Sequence, residues 1–552
     1  MDKNILIVIP ARGGSKEIPR KNLRLLDNRP LIYYAIKTAL SSSYNIDVYV
    51  SSEDDEILNT SVKFGAKVYK RDSIQAEDKT TLDPVIYNCY KFAQKNENKI
   101  YDIIVTMQPT SPLLKISSLD NALSKMIEDN SIDTIISAKD NTHLSWRKEN
   151  GKYIPNYKKR LNRQYLTPTF VETGSFLITR ENIISENNRI GKNVELYLLS
   201  NGEDIDIDTY EDWSLCEYYL KRKHILFVVT GNSEVGLGHV YNTLLLANDI
   251  LNHKITFLVD NRSQMAFDKI ASKNYPVMMQ QGGDIVEDIN KIEPDIIIND
   301  RLDTSKDYIL ELKKLNYKVV NFEDLGEGTG YADLVINAIY PEKQVLPNHY
   351  FGYEYFILRD EFIYSEPKKS IGEVKNVLIT FGGVDPNNYT QKVIKTIYEY
   401  CLSHNIQIHV IAGFGYQYYS SLENYKDIKI YRNISNISKY MLEADIIFTS
   451  AGRTTYEIAS LGIPTIVLAQ NERELTHFFA SSQFGFLNLG LGHTLSMVVL
   501  FDSFIKLINS LESRVYMNRL MKSIDLKSGR KKVITLIQKL IEEDTNEIRR
   551  TI

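Results

Sequence analysis

The chain has 552 residues, 43% hydrophobic and 25% charged, which is the composition of an ordinary globular protein and a length too great for one core, so two or more domains are expected. A formal net charge of −4 supplies no global basic field and argues against nucleic acid as a partner. Cys89, Cys216 and Cys401 lie far apart with no Cys-x-x-Cys pair, and no apolar run approaches the roughly 18 residues of a membrane span; reduced thiols, a cytoplasmic location and no membrane insertion are expected.

The chain opens on Ile5–Ile9, a continuous apolar run of the length of a buried parallel strand, which stops at Pro10 and leads into Ala-Arg-Gly-Gly-Ser-Lys16. Gly13 and Gly14 let backbone N–H groups approach a ligand, and Arg12, Lys16 and Lys21 can neutralise a triphosphate. Neither the Gly-x4-Gly-Lys-Ser/Thr nor the Gly-x-Gly-x-x-Gly spacing is present, and an ordinary basic turn is the alternative reading. Helical periodicity over Pro30–Ser41 precedes short strands at Asp47–Ser51, Asp102–Met107, Thr134–Ser137 and Ser175–Thr179, with helical stretches between the later ones. The first of these ends in the polar cluster Ser51–Asp55, the second in Gln108-Pro-Thr-Ser-Pro112. Such alternation predicts an α/β parallel sheet with ligands gathered at the carboxyl ends of its strands.

The next chemically loaded stretch is Asp204-Ile-Asp-Ile-Asp208. In an extended chain Asp204, Asp206 and Asp208 share one face while Ile205 and Ile207 pack on the other. Three such carboxylates repel unless a cation lies among them, and their hard oxygens suit Mg²⁺ held jointly with substrate phosphates. A solvated acidic turn, with Asp208 capping a helix from about Thr209 to Lys221, is the alternative.

The motifs Ile9–Lys16, Ile18-Pro-Arg-Lys-Asn22, Ser51–Asp55, Gln108–Leu113, Arg163-Gln164, Glu172-Thr-Gly-Ser175 and Asp206-Ile-Asp208 follow one another through residues 1–222. In this the sequence resembles the CMP-sialic acid synthetases, the N-acylneuraminate cytidylyltransferases. The resemblance implies a Rossmann-like nucleotidyltransferase domain in which Arg12, Ser15 and Lys21 hold CTP, within a loop that includes Gly13, Gly14, Lys16 and Asn22. It also implies that Gln108 and Arg163 face a nonulosonic acid, that Asp206 and Asp208 bind Mg²⁺ or another divalent cation, and that the domain forms a homodimer.

After residue 222 a helical stretch runs without a Gly/Ser/Pro-rich linker into a new buried strand, Ile225–Val229, which ends in the glycine-rich turn Thr230–His239. The Gly236-x-Gly238 turn brings the backbone close to a ligand, and His239 opens a helix whose dipole favours a neutral, basic imidazole. A histidine packed beside a tight turn is the alternative. Strands at Lys254–Val259, Asp295–Asn299, Lys318–Asn321 and Leu334–Asn337 follow, and a second α/β unit starts at Asn376–Thr380. Its first loop carries Gly382 and Gly383; later, Ser450–Glu457 feeds a helix N-terminus suited to phosphate oxygens, with Glu457 placed for a ribose diol.

With Gly236-Leu-Gly-His239, Glu323-Asp-Leu325, Phe381–Pro386 and Ser450–Glu457, this half resembles the UDP-sugar hydrolase of the pseudaminic acid pathway, a relative of the two-lobed GT-B glycosyltransferases. The resemblance implies a GT-B-like domain over residues 223–552, with lobes of about 223–370 and 371–535 and a final helix. It makes His239 the catalytic base on a UDP-sugar, surrounds the nucleotide sugar with Gly238, Gly382, Gly383, Gly452, Thr454, Thr455, Glu457 and Asn471, and calls for no cofactor. Asn242 stands where the family usually has arginine and Glu472 where it has glutamine, so a glycosyltransferase or a catalytically silent nucleotide-sugar-binding domain is an alternative.

Overall fold

Strands that are apolar without interruption must be covered on both faces, and the chain meets that requirement three times. The computed structural model describes residues 3–551 apart from 78, 201, 233, 234, 343–345, 414, 433 and 435, so residues 233 and 234 of the glycine-rich turn lie outside the described residues. It divides into two units, Met1–Arg222 and Lys223–Ile552.

In the first unit β1 (Ile5–Pro10), β2 (Ile46–Ser52), β3 (Lys67–Lys70), β4 (Ile103–Thr106), β5 (Thr134–Asp140), β6 (Phe170–Arg180) and β7 (Val194–Leu198) form one sheet in the order β7-β5-β6-β4-β1-β2-β3. β1 lies between β4 and β2, parallel to both. Its Ile5, Ile7 and Ile9 pack into one helical layer, and Leu6 and Val8 into the other. The sheet is not wholly parallel, as expected from the alternation of elements, because β6 runs antiparallel to β4 and β5. Nor is the segment between β5 and β6 helical: it holds a hairpin, Trp146–Glu149 against Lys152–Pro155, and a 3-10 turn at Arg163–Tyr165. Asn150-Gly151, both at positive φ, form the hairpin turn. Without a crossover helix the chain returns in the antiparallel sense. The β6–β5 register shifts between Glu172 and Leu177, a bulge that includes Gly174.

The second unit has two parallel sheets. The first joins β8 (His224–Val229), β9 (Lys254–Val259), β10 (Val277–Met279), β11 (Ile296–Asp300), β12 (Lys318–Phe322), β13 (Leu334–Asn337) and β14 (His349–Phe351) in the order β10-β9-β8-β11-β12-β13-β14. The other joins β15 (Asn376–Ile379), β16 (Gln407–Ala412), β17 (Ile428–Arg432), β18 (Ile446–Thr449), β19 (Thr465–Ala469) and β20 (Phe486–Leu491) in the order β17-β16-β15-β18-β19-β20. These are the two Rossmann-like lobes of the GT-B-like architecture. Strand order reverses at β8/β11 and at β15/β18, where α/β sheets open their ligand crevices. There stand the turn before His239, the loop with Gly382 and Gly383, and the Ser450–Glu457 turn.

The helix Gly529–Thr551 returns to the first lobe, where Val533, Ile537, Leu540 and Ile541 enter the core with Ile225 and Phe227. Arg530 holds this return by donating to Asp249 at 2.5 and 2.6 Å and to Asp360 at 2.5 Å. Between the lobes Tyr456 donates its hydroxyl to the Ala338 carbonyl at 2.9 Å, with its ring stacked between Phe356 and Phe479 at 4.0 Å each. Burial pushes all three cysteine thiols up, and among the described residues no helix is long and apolar enough to cross a membrane.

Phe479 is fully buried in this stack. Its replacement by Ala is expected to destabilise the second unit by about 3–5 kcal/mol through lost burial and a residual cavity. A denaturant midpoint for that unit unchanged from wild type would contradict this.

Candidate active sites

The loop after β1 is shaped by the residues after β2. Pairing of Pro10 with Ser51 carries Gly13 alongside the polar cluster, where its N–H donates to Glu53 Oε1 at 2.7 Å. Glu53 Oε2 accepts from Arg71 Nη2 at 2.9 Å and Nε at 3.2 Å. A Cβ at Gly13 would lie 2.5 Å from Asp54 Oδ2. Asp54 also caps the helix Asp55–Lys63 and accepts from Arg20 at 2.6 Å, and Arg20, left-handed at φ 58°, pairs with Glu56 too. The acidic cluster thus pins both ends of the loop. The Gly13 N–H, expected to approach a ligand, here donates to Glu53.

Between these anchors Arg12, Gly14, Ser15 and Lys16 line a cavity of about 510 Å³ together with Ala76, Glu77 and Lys79. The last three were not anticipated; a lysine and glutamate soon after a short strand were the available signal. A Cβ at Gly14 would meet nothing within 4 Å. Asn22 holds the loop from behind, its Nδ2 donating to the Arg12 carbonyl at 2.9 Å.

Lys21 does not line this cavity. Its Nζ donates to the Ile207 carbonyl at 2.6 Å and to Asp208 Oδ1 at 3.2 Å, joining the loop to the acidic stretch. Ile207 is buried with Ile18, Leu26, Leu31 and Trp213. The helix Tyr210–Lys221 is capped by Thr209, not Asp208: Thr209 Oγ1 accepts from the Asp212 N–H at 3.2 Å, and Asp212 accepts from the Thr209 N–H at 2.8 Å. Asp208 is therefore left to Lys21. Asp206 Oδ1 is buried with no hydrogen-bond partner among the described residues. Burial pushes the Asp206 carboxyl up, the Thr110 side chain opposes this, and the Asp208 carboxylate adds to the upward shift.

Gly174, at φ +72°, lets two side chains converge, since a Cβ there would lie 2.7 Å from Gln108 Nε2 and 3.4 Å from Asp206 Oδ2. Gln108 and Asp206 are thus brought together. Arg163 is not joined to them: it sits on an exposed turn, 3.9 Å from Asp140. Among the described residues no group of three or more His, Cys, Asp or Glu is arranged to hold a metal ion. Asp206, with its orphaned oxygen, and Asp208 fit a hard cation that takes its other ligands from phosphates and water.

In the second unit His239 is the second residue of the helix Gly238–Asp249. Its Nδ1 lies 2.5 Å from Asp300 Oδ1, at the carboxyl end of β11, and Asp300 Oδ2 accepts from Asn242 Nδ2 at 2.7 Å. Asp300 is fully buried. A carboxylate on Nδ1–H fixes the tautomer that leaves Nε2 as the basic nitrogen. That pairing, more than the helix dipole, orients the imidazole. Asp300 was not singled out from the sequence, although a carboxylate closing an apolar strand was its visible signal.

One strand over, Glu323 follows β12 and is buried. It accepts from the Ala338 and Ile339 N–H groups, each at 3.3 Å, and lies 3.7 Å from Arg453 Nη2. Burial pushes Glu323 up to about 7, with Arg453 opposing the shift. Arg453 comes from the other lobe, its Cδ 3.4 Å from where a Cβ on Gly238 would stand. Beside it Arg473 donates to both Asp303 oxygens at 3.0 Å and to the Tyr340 hydroxyl at 2.5 Å. Tyr340 meets the ring of His477 edge-on at 5.0 Å, and burial pushes His477 down to about 4.

Of the residues expected around the nucleotide, Thr454 and Thr455 open the helix Thr454–Leu461, with Thr455 Oγ1 donating to the Gly452 carbonyl at 2.8 Å. Glu457 accepts from Arg359 at 2.7 Å through Oε1, so a ribose would share this carboxylate with a guanidinium. Gly382, at φ +77°, and Gly383 face open space. Asn471 caps the helix Glu472–Leu475 by accepting from the Glu474 N–H at 3.0 Å.

The family model described as cytidylyltransferase matches residues 6–154. A Helicobacter pylori protein named pseudaminic acid cytidylyltransferase and UDP-2,4-diacetamido-2,4,6-trideoxy-beta-L-altropyranose hydrolase is 24% identical over 493 residues, 84% of this chain and 87% of that protein. An uncharacterized protein of Methanocaldococcus jannaschii is 33% identical over 273 residues, 45% of this chain, and the match spans only 56% of that protein's length. The pseudaminic acid cytidylyltransferase of Campylobacter jejuni serotype O:2 is 32% identical over 227 residues, 40% of this chain and 97% of that protein. Matched across nearly the whole of the Campylobacter enzyme, the chain belongs to the cytidylyltransferase family.

Proposed function

We propose that the chain joins two reactions of nonulosonic acid biosynthesis. Residues 1–222 transfer CMP from CTP to a nonulosonic acid of the pseudaminic type, releasing pyrophosphate, and residues 223–552 hydrolyse a UDP-linked amino sugar to free sugar and UDP. The first reading is supported by the cation-lined cavity behind β1 together with the orphaned oxygen of Asp206. The second is carried by the buried Asp300 against His239 Nδ1, and the name of the Helicobacter relative pairs the same two activities.

In the first reaction the anomeric hydroxyl attacks the α-phosphorus in line, so the protein's task is positioning and charge neutralisation. Arg12 and Lys16 meet the triphosphate in the cavity, Lys21 orients the acidic stretch, and Gln108 and Gly174 wall the side where the acid binds. Asp206 and Asp208 would hold a divalent cation, which when bound supplies positive charge to the phosphates. In the second reaction His239 Nε2 takes a proton from water as its oxygen bonds to the anomeric carbon and the bond to UDP breaks. Asp300 holds Nδ1–H throughout, and Asn242 holds Asp300. A nucleoside diphosphate is a good leaving group and needs little acid assistance.

Two measurements test this. Asp206→Ala, with circular dichroism unchanged, is expected to cut CMP transfer on the order of 10²-fold and to abolish its stimulation by Mg²⁺; CMP-sugar formation at the wild-type rate removes the assignment. His239→Ala is expected to lower UDP release from the UDP-sugar by a factor on the order of 10²–10⁴ while UDP still binds. If wild type releases UDP only when an acceptor sugar is added, the second unit is a glycosyltransferase.

A further inference from the structure

Two charged groups at the second site, the buried Glu323 and the half-buried Arg453, have no part in the hydrolysis as drawn. Glu323 adopts the left-handed region at φ 51°, a conformation a non-glycine residue keeps only where its surroundings enforce it. Its carboxylate is faced by Arg453 and Tyr456 from the second lobe, and by Asp300 from β11, His239 and Tyr340 from the first, besides the two backbone N–H groups. Arg453 is poorly served by this arrangement. At 3.7 Å from Glu323 its Nη2 makes an ion pair but is beyond hydrogen-bond reach, and that nitrogen is buried with no hydrogen-bond partner among the described residues. Its stem lies against Gly238, one residue before the base. A phosphate offers such a guanidinium two oxygens in the matching fork geometry, which Glu323, held by backbone donors, does not.

We propose that Arg453 changes partner when ligand binds, leaving Glu323 for an oxygen of the diphosphate, and that Glu323, then buried beside Asp300 without its counter-cation, takes one proton from solvent. The inference rests on reading this unit as a nucleoside-diphosphate-sugar site, and it adds that binding there is coupled to protonation. In the free protein burial pushes Glu323 up to about 7, with Arg453 opposing. Losing Arg453 and gaining a nearby anion both raise that value, so a proton is taken up on binding above pH 7, and affinity falls as pH rises through that range. Well below pH 7 Glu323 is protonated beforehand and the coupling vanishes.

The test is isothermal titration calorimetry of UDP into the full chain at pH 8, in two buffers of different ionisation enthalpy. Wild type is expected to take up about one proton more per UDP than Glu323→Gln, and between pH 7 and 8 to lose up to about tenfold more affinity. The ionisation of UDP itself, and any UDP bound by the first unit, cancel in this comparison. Arg453→Met is expected to weaken UDP binding and to lose the extra proton, and it decides the matter should Glu323→Gln not fold. Equal proton uptake by wild type and a variant that still binds UDP overturns the exchange and leaves the nucleotide site standing. Failure of wild type to bind UDP overturns the site, and the exchange with it.

Discussion

A carboxylate buried where a parallel strand ends has to be met by donors, because an uncompensated charge out of water costs several kcal/mol. Asp300 shows how much follows from this. It is fully buried at the end of β11, and its two oxygens take His239 and Asn242. Those partners fix the rotation and tautomer of the imidazole and the seating of the helix that carries it. Glu53 acts in the same way in the first unit, drawing in the Gly13 N–H and Arg71. Glu323 draws two backbone N–H groups and, less closely, Arg453. Of these three, it is the one whose demand is incompletely met.

The strands that matter were legible because two-sided burial leaves an unbroken apolar run, as in Ile5–Ile9 and Ile225–Val229, and the glycine-rich loops stood out at their ends. The sense of β6 was not, because direction belongs to the connection and not to the strand. Asn150-Gly151 is a hairpin signal in the sequence, and the hairpin forms there. At the sites, residue types were visible but partners were not. Gly13 reads as an approach for a ligand, whereas the group that approaches it is Asp54, brought there by the β1–β2 register. Asp206 and Asp208 were found as a pair; their division into one buried, orphaned carboxylate and one held by Lys21 depends on Thr209 taking the helix cap.

In the reactions proposed for them, the two units would meet phosphate differently. The first would use the cations Arg12, Lys16 and Lys79 around an open cavity, with its loop held by the acids behind it. The second would rely on helix N-termini, open glycines and the half-buried guanidinium of Arg453 contributed across the lobes. The first arrangement would accommodate a triphosphate whose charge changes as pyrophosphate departs; the second would suit a diphosphate that leaves whole. Their common ground is placement at the reversal of strand order, which is where an α/β sheet leaves room.

The helix Gly529–Thr551 completes the first lobe's core from far along the chain, with Val533 and Ile537 beside Ile225 and Phe227. Domains tend to fold as they emerge from the ribosome. The first unit has every strand of its sheet by Leu198 and can close early. The first lobe of the second unit cannot, since the apolar face against which this helix lies stays uncovered until the entire second lobe has been synthesised. That lobe therefore spends the longest time exposed to chaperones and to misassembly, and a nascent chain interrupted between the two lobes would be left with a complete first sheet and an open core behind it.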